Sequence, residues 1–208
     1  MTTIPIDTAI ELDALASETH RLLSSMADQQ LAPYCADWTD WAAASTRASV
    51  PPSASLPVLH WLSQAARDAP AFSRAVCARL RAASTALGWQ QSYTAAEAAP
   101  AFLDRYGWCE LVGPRGVRIS GHLACGFLLL GPQTDYPSHR HEAEELYLPL
   151  SGTAQWCQSG GRWQSRAPGT LIHHASFEPH AMRTGAVPLL ALYLWRGSGL
   201  KNHARLDR

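Results

Sequence analysis

The hydrophobic and polar positions divide the chain into two parts with different periods. Up to residue 106, apolar residues recur at intervals of three and four, which is typical of amphipathic helices. Leu12, Leu15 and Leu22 follow this spacing behind Thr8 and Glu11. A Thr and a Glu three residues apart can cap the free backbone amides at a helix start. The pattern therefore predicts a first helix that begins near Thr8.

Further helices are predicted in the same part of the chain. Ala-, Leu- and Arg-rich stretches place them at residues 37–48, 59–67 and 71–87. Thr94 and Glu97 repeat the capping pattern before a short helix that ends near Tyr106. Three prolines between residues 49 and 57 predict a loop there.

From Gly107 onward the period changes, and short runs of Val, Ile, Leu, Trp and Tyr alternate with Gly and Pro. Many short strands separated by turn residues are typical of a β-sandwich or β-barrel. The predicted strands are 117–120, 123–130, 145–150, 153–158, 163–167, 170–173, 177–184 and 189–195. We therefore expect a mainly β chain in which residues 107–208 form a barrel. The helical region, residues 1–106, either packs on this barrel or forms a dimer interface.

Composition and charge exclude several classes of protein. Lys and Arg number 17, Asp and Glu also number 17, and charged residues are only 16% of the chain. This balance indicates no nucleic-acid partner. No apolar run approaches the roughly 18 residues of a membrane span, and the first residues do not resemble a signal peptide. The five irregularly spaced cysteines are typical of reduced thiols, which predicts a cytoplasmic protein.

The candidate chemistry lies in residues 136–152. His139 and His141 are two positions apart, so they share one face of a strand. In the next predicted strand Glu145 and Tyr147 share a face, whereas the leucines between them share the other. Two imidazoles, a carboxylate and a phenol can thus meet at one point. Imidazole and carboxylate ligands suit a divalent transition metal, so we expect one bound ion of Zn, Fe, Mn, Co or Ni.

The spacing of His139, His141, Glu145 and Gly152 resembles the first sequence motif of the cupins. The second cupin motif can be placed with its histidine at His180, which makes His180 the fourth candidate metal ligand. This second motif is incomplete, because its proline, glycine and asparagine are replaced. The replacing residues are Ala175, Phe177 and Thr184. His173 and His174 lie nearby but at the wrong offset for the motif.

The longer pattern Tyr-Pro-x-His-x-His-x-Ala-x-Glu-x-Tyr, from Tyr136 to Tyr147, resembles the cupin-type dimethylsulfoniopropionate (DMSP) lyases more specifically. The helical region before the barrel and Trp195 in the last predicted strand extend this resemblance. It implies a cupin fold, which is a double-stranded β-helix or jelly-roll barrel. It also implies a metal held by His139, His141, Glu145 and His180, with Tyr147 as the catalytic base. Tyr136 and Trp195 would line the substrate pocket.

The chemistry of DMSP suits such a site. Elimination needs a base that removes the proton next to the substrate carboxylate, and a metal bound to that carboxylate would stabilise the developing charge. A free tyrosine has a pKa of ~10, and a nearby cation lowers it. Aromatic rings can hold the sulfonium cation. We therefore expect a metal-dependent lyase that forms dimethyl sulfide and acrylate from this small zwitterion.

Two alternatives remain open at the level of sequence, because cupins host many chemistries. The chain could be another cupin metalloenzyme, either an Fe(II) dioxygenase or an isomerase that acts on a different small molecule. It could also be a cupin that binds a small ligand without catalysis. In each case the expected partner is a small molecule, together with a second copy of the chain if a homodimer forms.

Overall fold

The computed structural model describes residues 6–39 and 55–207. Its helices are α1 (Ile6–Ser25), α2 (Ala32–Thr39), α3 (Leu62–Arg67), α4 (Arg74–Ala83) and α5 (Pro100–Leu103), with short 3-10 helices at Pro57–Trp61 and Ser84–Ala86. Because α1 begins at Ile6, Thr8 lies inside its first turn and not at its start. Most of the helix predicted at residues 37–48 lies outside the described residues.

The β part contains ten strands in the described residues. They are β1 (Tyr106–Val112), β2 (Leu123–Leu130), β3 (Asp135–Arg140), β4 (Glu144–Ser151), β5 (Ala154–Gln158), β6 (Gln164–Arg166), β7 (Ile172–His174), β8 (His180–Thr184), β9 (Leu189–Arg196) and β10 (Arg205–Leu206). The mainly β chain with an N-terminal helical region is thus confirmed.

Three details of the strand prediction were wrong. Strand β1 was missed because it is buried along its whole length and shows no alternation. Strand β3 was not among the predicted strands, because its sequence is mostly polar and those predictions relied on apolar runs. The strand predicted at 117–120 forms only an isolated bridge between Val112 and Arg118, because a turn at Gly113 and Gly116 folds the chain back.

The strands form two antiparallel sheets of five strands each. One sheet has the order β1-β2-β9-β4-β7 and the other β10-β3-β8-β5-β6. In the first sheet β2 and β9 are buried along nearly all of their length, so both faces of this sheet are covered. One face meets the second sheet and the other lies under the helices.

Strand β4 shows how this layering places side chains. Leu146, Leu148 and Leu150 belong to one hydrophobic core together with leucines of the helices, among them Leu15. Tyr147 belongs to a second core between the sheets. The predicted alternation along this strand is therefore confirmed, and the residues of interest point into the barrel. The division into domains at residue 106 stays a prediction.

Within the part of the chain that the structure describes, no helix combines the length and the apolar composition needed to cross a membrane.

In the turn after β4, neighbouring atoms lie so close to Gly152 that a substitution there tests the fold. Gly152 and Gly160 both have left-handed backbones, with φ of +79° and +69°. A Cβ at Gly152 would lie 2.1 Å from the Pro188 carbonyl oxygen, whereas a Cβ at Gly160 would meet no atom within 4 Å. The two sites therefore share the backbone strain but differ in crowding.

We expect Gly160→Ala to lower the free energy of unfolding by about 1–2 kcal/mol, the cost of a left-handed alanine. Gly152→Ala should lower it by about 2–5 kcal/mol, because overpacking adds to the same strain. Urea unfolding followed by circular dichroism measures both variants. Equal losses would show that the contact with Pro188 does not constrain this turn.

Candidate active site and metal centre

Three candidate ligands meet between the two sheets. Glu145 comes from β4, His180 begins β8, and His141 directly follows β3. His141 Nε2 lies 2.9 Å and His180 Nε2 lies 3.3 Å from Glu145 Oε2. The ligand atoms of this group all lie within 4.8 Å of one another, and the three side chains are buried. A buried group of two imidazoles and a carboxylate suggests a metal site.

His139, the fourth candidate, lies beside this group but is not a member of it. It is buried, and its ring centroid lies 4.1 Å from that of His180. Strands β3 and β8 pair directly at His139 and His180, so the backbone register brings the two rings together.

All three histidines are oriented in the same way. Nδ1 of His139, His141 and His180 each lies 2.9 Å from a backbone carbonyl oxygen, which belongs to a residue two positions away. A carbonyl can only accept, so Nδ1 carries a proton, and Nε2 on the other side of each ring can donate to a carboxylate or, once deprotonated, bind a cation. Such outer hydrogen bonds are typical of histidines that hold metals.

An unpaired atom also supports a metal at this position. His180 Nε2 is buried and, although Glu145 Oε2 lies 3.3 Å away, makes no hydrogen bond with it or with any other described residue. A buried polar atom without a partner costs about 1–3 kcal/mol, and a bound cation would satisfy it. The donor set therefore fits a divalent transition metal.

The electrostatics of the site favour the ligand forms of these groups. Burial alone would raise the pKa of Glu145, but His141 and His180 outweigh burial and hold that pKa well below its usual range. Burial, together with His180, holds the pKa of His139 well below its usual range. The carboxylate is thus ionised and the His139 imidazole is neutral, as metal binding requires.

Trp195 contacts two of the candidate metal ligands, Glu145 and His141. Its Nε1 donates to Glu145 Oε1 over 2.6 Å, and its ring stacks on His141 with centroids 4.1 Å apart. The contact arises because Glu145 and Trp195 lie opposite each other on β4 and β9. The sequence placed Trp195 in the pocket but did not reveal this hydrogen bond to Glu145.

The two tyrosines of the predicted site lie on the same cavity as these residues. The ring of Tyr136 stacks on His139 with centroids 4.0 Å apart, and its hydroxyl lies 3.1 Å from the Tyr93 hydroxyl. Tyr147 is buried, and its ring lies 6.4 Å from that of His180. Burial first, and then the Glu145 carboxylate, raise the pKa of Tyr147 well above its ordinary value.

This inner cavity has a volume of about 40 Å³. Tyr136, Tyr147 and Trp195 line it, and further aromatic side chains from β1 and β9 extend its wall, namely Tyr106, Trp108 and Tyr193. The segment between β9 and β10 adds Asn202, His203 and Ala204. No sequence signal marked this segment or Tyr106 as part of the site.

The structure distinguishes the two neighbouring histidines. His174 is buried opposite Glu145 and stacks on His180, with ring centroids 3.9 Å apart. Burial lowers the pKa of His174 to about 3. His173 points to the other face, is exposed, and contacts Glu144 at 2.8 Å. His174 is therefore beside the site and His173 is outside it.

Strand β10 holds the strand that carries His139. Its residue Leu206 pairs with His139. The carboxylate of Asp207 accepts hydrogen bonds from Ser138 Oγ at 2.6 Å and from Arg140 Nε at 2.5 Å. Since these partners flank His139, the contact fixes the backbone on both sides of that residue.

Comparison with known proteins places the chain in a family. The family model for DMSP lyase matches residues 36–191. Among curated proteins, DMSP lyase DddQ of Ruegeria pomeroyi is 35% identical over 116 residues, which are 56% of this chain and 58% of that protein. The putative DMSP lyase DddL of Cereibacter sphaeroides is 37% identical over 115 residues, 54% of this chain and 47% of that protein. The matches thus span about half the length of these curated relatives.

Solved structures are similar over nearly the whole chain. The crystal structure of DddQ from Ruegeria pomeroyi superimposes with a TM-score of 0.83 at 27% identity, covering 95% of this chain and 96% of that one. A structure from work on the DMSP lyases RdDddP and RnDddQII gives a TM-score of 0.79 at 31% identity, covering 97% and 100%. The predicted cupin fold is therefore confirmed.

Removal of single histidines tests the metal centre. We expect His141→Ala and His180→Ala to lose bound metal, because each removes a nitrogen from the buried group. His173→Ala should keep its metal, because that side chain lies outside the site. Elemental analysis after loading with Mn or Zn measures the metal content. Full metal content in His180→Ala would remove His180 from the ligand set.

The role of Trp195 can be tested separately. Trp195→Phe keeps an aromatic ring against His141 but removes the hydrogen bond to Glu145, so we expect metal affinity to fall about 10–100-fold. A competition titration with a chelator measures the affinity. Trp163→Phe is the control, because Trp163 is exposed and lies outside the cavity lining. An unchanged affinity in Trp195→Phe would exclude this positioning role.

Proposed function

The chain belongs to the dimethylsulfoniopropionate lyase family, and from this premise we propose that it is a metal-dependent carbon–sulfur lyase that cleaves DMSP. The observation that carries the proposal is the position of Tyr147, which shares a cavity with the buried His139, His141 and Glu145. A base beside a cation site, enclosed by aromatic rings, is what elimination from a sulfonium zwitterion requires.

In the proposed reaction the base removes a proton from the carbon next to the substrate carboxylate. The electron pair of that C–H bond forms the C=C double bond of acrylate. The bond from the neighbouring carbon to sulfur breaks, and sulfur keeps its electron pair. The products are acrylate and neutral dimethyl sulfide, and no oxidant or reductant is consumed.

We assign the metal to His139, His141, Glu145 and His180, and its identity to one of Zn, Fe, Mn, Co or Ni. The Nδ1 contacts of the three histidines with backbone carbonyls, the close group of His141, Glu145 and His180, and the ionised Glu145 support this assignment. A divalent ion bound there would supply positive charge that offsets Glu145, favours the phenolate of Tyr147 and stabilises negative charge beside the substrate carboxylate.

Tyr147 is the proposed base, and its surroundings limit where its hydroxyl can act. The Glu145 carboxylate lies near this phenol and, after burial, is the main cause of its raised pKa, so a cation bound beside Glu145 would also lie near the phenol. Trp156 and His174 pack against its ring, with centroid distances of 6.1 and 6.0 Å. The side chain is otherwise buried, so its hydroxyl can meet solvent or substrate only through the inner cavity.

Tyr136 and Trp195 are the proposed substrate-binding residues. Both line the inner cavity, and Tyr193 packs against Trp195 with ring centroids 6.1 Å apart. An aromatic face attracts a cation by about 0.5–2 kcal/mol, depending on how dry the site is. The buried rings therefore suit a dimethylsulfonium group better than a neutral thioether.

Two further expectations belong to this proposal. The five cysteines lie in the described residues and none forms a disulfide, which supports a reducing compartment such as the cytoplasm. A homodimer is also proposed, with the helical region as the candidate interface.

The test is release of dimethyl sulfide from DMSP by protein loaded with each candidate metal. We expect turnover by the unaltered protein. Tyr147→Phe should retain its metal but lose at least ~100-fold in kcat, the usual contribution of a general base. Headspace gas chromatography measures the product, and elemental analysis measures the metal.

Absence of dimethyl sulfide with every candidate metal would contradict the lyase proposal. Turnover of another small molecule that depends on O₂ and Fe(II) would instead identify a dioxygenase. Full activity in Tyr147→Phe would leave the lyase in place but exclude this residue as the base.

A further inference from the structure

A second and larger cavity adjoins the inner one. Its volume is about 410 Å³, roughly ten times that of the inner cavity. The two cavities share His141, Asn202 and His203 in their walls. We call the larger one the outer groove. A substrate that enters the inner cavity past these three shared residues meets the outer groove first.

Phe177 stands at the outer groove with an unusual backbone. Its φ is +59°, a left-handed conformation that bulky side chains rarely adopt. It is the third residue of a turn closed by the Glu178 amide, which donates to the Ala175 carbonyl at 2.9 Å. Glycine is favoured at such a turn position, and the second cupin motif has glycine where this chain has Phe177.

A backbone contact with the candidate site holds Phe177 in this strained conformation. The Phe177 amide donates to the His141 carbonyl at 2.8 Å, so the turn is tied to a candidate metal ligand. The Phe177 side chain is nevertheless 57% exposed, so core packing does not explain it. Strained, exposed residues of this kind cluster where ligands bind.

Two arginines and two carboxylate side chains line the outer groove. Arg140 is paired with Asp207, and Glu142 accepts a hydrogen bond from Asn202 at 3.1 Å. Arg205, on β10, is exposed and has no ion pair among the residues that the structure describes. The groove therefore offers one exposed aromatic ring and one guanidinium without a carboxylate partner.

We propose that the outer groove is a recognition subsite for the zwitterionic substrate. Phe177 faces the onium cation and Arg205 faces the carboxylate, before the substrate passes Asn202 and His203 into the inner cavity. The proposal rests on the proposed function for the identity of the zwitterion. It accounts for a phenylalanine at a position where glycine would be less strained.

The test compares variants of Phe177 by kinetics and by calorimetric binding of DMSP. Phe177→Ala removes the ring, so we expect KM to rise about 2–5-fold with kcat unchanged. Phe177→Gly should show the same rise in KM without a lower melting temperature, since glycine relieves the strain. Phe177→Tyr keeps an aromatic ring and should restore KM.

Two controls separate the subsite from general effects. Phe72→Ala removes another exposed phenylalanine, one outside both cavities, and should leave KM unchanged. The thioether acid 3-(methylthio)propionate lacks the cation, so its inhibition constant should be unaffected by Phe177→Ala. Arg205→Gln should weaken the binding of both DMSP and this acid.

An unchanged KM in Phe177→Ala, or a loss confined to kcat, would overturn the subsite. If the unaltered protein releases no dimethyl sulfide, the same comparison is made by calorimetry in the Tyr147→Phe background. Weaker DMSP binding with Phe177→Ala would then support the subsite although the lyase proposal had failed. Equal binding, or no binding in either protein, would overturn the subsite.

Discussion

The ionised carboxylate of Glu145, buried between the two sheets, is the constraint on which the site depends. A buried carboxylate without partners is so unfavourable that it would take up a proton. Glu145 avoids this because both of its oxygens have partners, Trp195 on one and His141 on the other. The same contacts orient the carboxylate and place it within reach of His180.

The fold supplies these partners from different strands. Trp195 and His174 reach Glu145 from the strands on either side of β4, whereas His139 and His180 come from the facing sheet. The helices cover the outer face of the first sheet, where the leucines of β4 are buried. This covering keeps β4 in the middle of the core, so that Glu145 and Tyr147 remain away from water.

The boundary of the site is less regular than its centre. The segment between β9 and β10 forms part of the inner cavity wall, and β10 then pairs along β3. On the other side, the turn at Phe177 is bonded to the backbone of His141. Local departures from ideal sequence patterns thus concentrate where the inner cavity meets the outer groove, as expected at a functional site.

The sequence by itself determined the fold class, the candidate ligands and the shared face of Glu145 and Tyr147. Side-chain direction in a strand alternates with every residue, and the spacing of a motif is local, so both can be read along the chain. The register between strands decided which distant side chains contact the site. The hydrogen bond from Trp195 to Glu145, the stacking of His174 on His180 and the contact of Asp207 beside His139 join residues far apart in sequence. Only the pairing and packing of the sheets bring them together, because no local pattern encodes which distant strands become neighbours.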